Sequence, residues 1–269
     1  MTICERCCME DSSQDIINQF FNGEIQYFYD HYADYDPNHI IEVRIAESIY
    51  EAALHLSIPD VQRETLMQQG KKVTDSLNGT VILLKDLEVD GLQIILSQHS
   101  FKYNDGGLTL IGTINHEFTH AIDFLDFAKH LGISDSEAVM RDDDWFTLQM
   151  WSEFHARRNG FLRVLDAATG GTLEYPDDYL EHELELIRSK WKTQRDSNEL
   201  YELMQLCGRY AVLEELYPDR INGFYNDMLK GEYSGVKLYI CNRIYDFCKN
   251  HKSFKEFIND KDDLKTLIS

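Results

Sequence analysis

Residues 80–87 and 92–98 are short, β-branched and aliphatic, whereas most of the remaining chain repeats its apolar residues at helical spacing. The two runs are joined by Glu88-Val89-Asp90-Gly91, and Asp-Gly between such runs signals a hairpin. One small sheet in a helical chain predicts an α+β fold, predominantly helical, with the sheet preceding a helix that begins near Leu110. Upstream, residues 15–32 read as a helix, and Asp36-Pro37-Asn38 breaks it. Ile41, Ile45, Ile49, Ala52, Ala53 and Leu56 then predict a second helix, ended by Pro59. Downstream, helices are expected over 142–165, 178–191 and 198–216, followed by shorter ones over 225–229, 236–248 and 253–258. Three aspartates open the first of these, where the helix dipole favours negative charge. No repeat or linker forces a boundary. Residues 1–269 are therefore expected to form a single unit, with a soft division into 1–169, carrying the sheet and the site helices, and an all-helical 170–269.

The chain is long enough for a substantial core, and its 43% apolar content excludes a disordered protein. With 26 basic and 47 acidic residues the net charge is −21, a field that repels phosphate backbones and anionic membrane surfaces. Nucleic acid and membrane are thus not expected as partners. The first residues are polar and acidic, unlike a secretion signal, and no apolar stretch approaches the roughly 18 residues of a membrane span. A cytoplasmic protein is expected, with Cys4, Cys7, Cys8, Cys207, Cys241 and Cys248 as free thiols.

Chemistry concentrates in Ile114-Asn115-His116-Glu117-Phe118-Thr119-His120-Ala121-Ile122. Two imidazoles four residues apart lie about 40° from each other around a helix, so both can grip one Zn²⁺. Glu117 is adjacent but angularly offset, which lets its carboxylate reach a water on the ion and act as general base. Ile114, Phe118, Ala121, Ile122 and Leu125 fall on the opposite side and predict a core-facing back. A catalytic zinc takes three protein ligands and keeps one position open. Asp123, about one turn beyond His120 on the metal side, is a candidate acceptor for an imidazole N–H.

This His-Glu-x-x-His stretch resembles the signature of the zincin metallopeptidases. The resemblance implies a small sheet above the active helix, an edge strand that aligns extended peptide, and hydrolysis of peptide bonds. One zincin branch places an Asp at the position of Asp126, after a glycine that turns the chain. Asp123 stands at that glycine position, and on a continuing helix Asp126 rotates away from the metal face. A second branch, the gluzincins, takes a glutamate from a later helix. Glu153 is the candidate by this resemblance, 33 positions after His120. Glu153 and Ala156 are also weakly similar to peptidases of the ImmA/IrrE type, although Arg157 stands where the thermolysin-like pattern has an acid. Phe146, Met150, Arg157 and Gly160 share the face of Glu153, and Gly160 would permit close helix approach. His155 and Glu137 remain alternatives for the third ligand, and an Arg157 ion pair is the structural alternative for Glu153.

Together these readings predict a cytoplasmic zinc metallopeptidase acting on a peptide or protein substrate, with His116, His120 and Glu153 on the metal and Glu117 as base. The alternative is a non-hydrolytic regulatory or binding protein on the same scaffold. Arg157, His155, His182 and Tyr210 are candidate donors to a developing oxyanion.

Overall fold

A computed structural model describes residues 2–3, 11–31, 39–103, 105, 107–174, 177–194, 198–221 and 223–269. The chain divides into two compact units, Met1–Asp143 and Asp144–Ser269.

The first unit contains β1 (Thr2–Ile3), α1 (Asp11–His31), β2 (Ile41–Ala46), α2 (Ile49–Leu54), α3 (Asp60–Thr74), β3 (Gly79–Leu83), β4 (Leu92–Ser97), α4 (Leu108–Leu131) and α5 (Ser136–Met140). The strands form a sheet in the order β1-β2-β4-β3. The expected hairpin is present: β3 and β4 are antiparallel, with Gly79 opposite Leu96 and Leu83 opposite Leu92. Asp86 shapes the connection by accepting the N–H groups of Glu88 and Val89 at 3.0 and 3.2 Å. Both other pairings, β1 with β2 and β2 with β4, are parallel, so the sheet is mixed.

Residues 41–46 also correct the sequence reading, being strand rather than the first turns of a helix. Ile41, Ile45 and Ile49 are spaced by four, an interval that satisfies both a helical stripe and a period of two. Val43 settles the period. It is buried with Ile41, at 2% and 1% exposure, while Glu42 and Arg44 alternate with them. The helix begins only after Ser48, whose hydroxyl caps Glu51 N–H and is itself held by Asp75.

Every residue of β4 is buried, because the central part of the sheet is covered on both faces. On one face Ile82 and Ile95 pack with Ile49, Ala52, Ala53, Ile58 and Leu66 from α2, α3 and the turn between them. The other face, carrying Gly79 and Leu96, lies against α4. Asp105 anchors the start of α4: its carboxylate accepts from Gly107 N–H at 3.0 Å, from Thr109 N–H at 2.9 Å and from the Thr109 hydroxyl. These bonds, led by the hydroxyl, hold the Asp105 carboxyl below its ordinary range. Gly132, at φ +67°, ends the helix.

The second unit is helical throughout its described residues: α6 (Trp145–Thr169), α7 (Asp177–Gln194), α8 (Glu199–Leu216), α9 (Pro218–Ile221), α10 (Phe224–Lys230), α11 (Gly235–Asn250) and α12 (Phe254–Ile268). Helices α6 and α8 form its tightest packing, because Gly208 on α8 presents no side chain to α6. A Cβ there would lie 2.6 Å from the Phe154 carbonyl oxygen and 2.9 Å from Arg157 Cβ. Trp151, fully buried, stacks on Phe257 at 4.5 Å and donates its indole N–H to the His251 carbonyl at 2.8 Å. Tyr210, Tyr225 and Tyr245 form a second aromatic cluster. Cys207, Cys241 and Cys248 are free and buried, and burial pushes the Cys207 thiol up to about 12. Cys4, Cys7 and Cys8 lie outside the described residues. No helix among the described residues is long and apolar enough to cross a membrane.

Candidate metal centre

Helix α4 runs unbroken from Leu108 to Leu131, so the spacing of His116 and His120 becomes adjacency on one face. Their Nε2 atoms are 3.1 Å apart and the ring planes are nearly perpendicular, at 89°. Two nitrogens each about 2.0–2.1 Å from a tetrahedral ion would be about 3.4 Å apart, so the pair is close to the required bite. Both rings are half-buried, and Phe124 stacks on His120 at 5.6 Å. The opposite side is apolar as expected, with Ile114, Phe118, Ala121, Ile122 and Leu125 all buried.

Glu117 is only 6% exposed. It reaches β3, where a Cβ on Gly79 would lie 2.9 Å from Glu117 Cγ, 3.0 Å from Thr113 Cγ2 and 3.1 Å from Leu96 Cδ2. The backbone of Gly79 is not in the left-handed region, so its conformation does not demand glycine. Proximity does. Glu117 and the sheet are brought together by a missing side chain.

Asn115, on the buried side of α4, donates to Glu24 at 3.0 Å and to the Ile111 carbonyl at 3.1 Å, tying α1 to the site helix. Asp123 is buried at 1% exposure one turn beyond His120. Thr119 is also buried and donates its hydroxyl to the Asn115 carbonyl. None of these side chains projects to solvent, so the two half-open imidazoles are set on a helix fixed by its neighbours.

Among the described residues, His116, His120 and Glu153 are the His, Cys, Asp and Glu side chains that could together hold a metal ion. One ligand atom of each lies within 4.8 Å of the others. Two imidazoles and one carboxylate are a donor set that suits zinc and leaves a coordination position open. Glu153 is 3% exposed, and Arg157, one turn along α6, has a guanidinium nitrogen 3.9 Å from it.

The alternatives are occupied elsewhere. Glu137 accepts from the Val61 N–H at 3.1 Å and from Arg141 Nε at 2.9 Å, and these partners hold its carboxyl below the ordinary range. Asp126 lies 3.6 Å from His39, on the helix that continues past it. His155 stacks on Trp151 at 4.8 Å. Of the candidate oxyanion donors, Tyr210 is spent in the core on the Ile221 carbonyl at 3.0 Å, and His182 is exposed on α7.

No family model, curated protein or solved structure matches this chain.

Proposed function

We propose that this chain is a zinc-dependent peptidase in which His116, His120 and Glu153 hold the metal and Glu117 is the general base. The convergence of those three ligand atoms carries the reading. Peptide as the scissile class comes from the resemblance of residues 116–120 to the zincins. A zinc ion in such a site polarises a carbonyl and makes water acidic enough to lose a proton near pH 7.

With the metal held by His116, His120 and Glu153, Glu117 would accept a proton from the attacking water as its oxygen bonds to the carbonyl carbon, and would return that proton to the amine nitrogen as the C–N bond breaks. Its burial against Gly79 limits the carboxylate to a narrow range of positions and keeps bulk water from its apolar stem. Asp123, buried one turn beyond His120, would accept an imidazole N–H and so fix a ring orientation. The substrate is a peptide or protein, the place of action is the cytoplasm, and the charge of −21 argues against nucleic acid and anionic membrane as partners.

Glu117→Gln tests the reading, because glutamine keeps the shape and loses the basicity. The zinc-loaded variant should retain the metal of the wild type and cleave a mixed peptide library, followed by mass spectrometry, about 100-fold more slowly or less. Equal cleavage by the variant would refute Glu117 as base. A wild type that holds zinc and cleaves nothing would favour the non-hydrolytic scaffold.

A further inference from the structure

The second unit carries a charged cavity lined by residues other than the proposed metal ligands. It is a partly open hollow bordered by α6, α7 and α8, has a volume of about 30 Å³, and is lined by Arg157, Lys190 and Arg209 together with Trp191 and Glu202. Three cations on one small cavity are unusual in a chain with a net charge of −21. Their carboxylate counter-charges, Glu183, Glu153 and Glu202, are near but loosely engaged. Glu183 lies 3.5 Å from Arg209, too loose for a hydrogen bond, and Arg157 is 3.9 Å from Glu153.

Two donors at this place also lack acceptors. Trp191 is 2% exposed, and neither its buried indole Nε1–H nor the buried Nε–H of Arg157 finds an acceptor among the described residues. A buried N–H without a partner costs about 1–3 kcal/mol, so native proteins satisfy such groups with a side chain, a water or an ion. We propose that this cavity is a halide site, in which chloride is held by the indole N–H of Trp191 and the cationic groups of Arg157, Lys190 and Arg209.

Size and charge choose the ligand. About 30 Å³ is roughly twice the space one water requires, enough for a single-atom anion and too little for an organic substrate. Water would satisfy the two N–H donors but would leave the mutual repulsion of the cations in place. That repulsion is felt at Lys190: after desolvation, the nearby Arg209 and Arg157 are the main influences lowering its pKa, outweighing Glu183 and Glu202. Burial raises the pKa of Glu202 against the lowering influence of Arg157 and Lys190. None of its donors is a proposed metal ligand, and Arg157 alone borders one, lying 3.9 Å from Glu153.

Thermal unfolding of the full chain in sodium chloride and in sodium gluconate at equal ionic strength tests the proposal. The wild type should melt about 2 °C or more higher in chloride, with the increment saturating as chloride rises. Trp191→Phe, which keeps the ring and removes the N–H, and Lys190→Gln, at an exposed residue, should each lose most of that increment. Should Trp191→Phe not fold, Lys190→Gln carries the comparison. Crystals grown in sodium bromide should show an anomalous peak within hydrogen-bond distance of Trp191 Nε1. Identical melting of the wild type in the two salts, an unchanged increment in Lys190→Gln, or density without anomalous signal would overturn the proposal.

Discussion

At the scale of single residues, Gly79 is the sharpest test of how Glu117 is placed. In an open strand position, glycine to alanine stabilises by about 0.5–1 kcal/mol, because alanine has less backbone entropy to lose. At Gly79 the new methyl would meet Glu117, Thr113 and Leu96 at 2.9–3.1 Å, and the sign should reverse. Gly79→Ala is expected to lower stability in urea unfolding by about 1–3 kcal/mol, the usual range for an overpacked site. It should also displace the Glu117 carboxylate and slow cleavage. A neutral or stabilised variant would mean that Glu117 does not pack on β3. His116, Glu117 and His120 were legible in the sequence because a helix makes near neighbours of residues four apart. Gly79 was not, since an Asn-Gly pair reads equally well as a turn and nothing local announces the glutamate 38 positions later that touches it. Glu153 was reached only through a resemblance, because no periodicity connects it to α4.

At the scale of elements, α4 matters most, and its start depends on Asp105. Asp105→Ala removes the acceptor for Gly107 and Thr109 and should cost about 1 kcal/mol, as loss of a helix-start carboxylate does. The pH dependence has a definite sign. The folded-state pKa of Asp105 is depressed, so its contribution is present above the unfolded carboxylate pKa and disappears as pH falls through the lower folded value. Denaturant midpoints of wild type and variant should therefore differ at pH 6 and converge in acid. A constant gap down to pH 2 would contradict this. In the second unit, Gly208→Ala should part α8 from α6 and destabilise by about 1–3 kcal/mol, read by thermal unfolding, since the methyl meets backbone that cannot give way. An unchanged melting temperature would mean that α6 and α8 do not pack so closely. The sequence points to Gly160 as the place of close helix approach on α6, with no partner helix specified, and the glycine that lets α8 approach α6 is Gly208. Helices were legible wherever their apolar stripe spanned several turns. Residues 41–46 were not, because the isoleucines at 41 and 45 fit either period and the strand's parallel partner β4 lies some fifty residues away.

At the scale of the whole molecule, the fold class was readable from texture alone: one aliphatic hairpin followed by helices predicts α+β. Strand order was not, because parallel pairing of β2 with β4 depends on contacts across α2, α3 and β3. The proposed centre requires a metal shared by residues distant in sequence. Elemental analysis of the purified chain after zinc loading and dialysis, alongside His116→Ala, Glu153→Ala and His155→Ala, measures this directly. The expected result is about one zinc per wild-type chain, substantial loss in His116→Ala and Glu153→Ala, and retention in His155→Ala, whose ring packs on Trp151. A wild type without zinc, or a Glu153→Ala variant that holds it as tightly while His155→Ala releases it, would contradict the proposed centre.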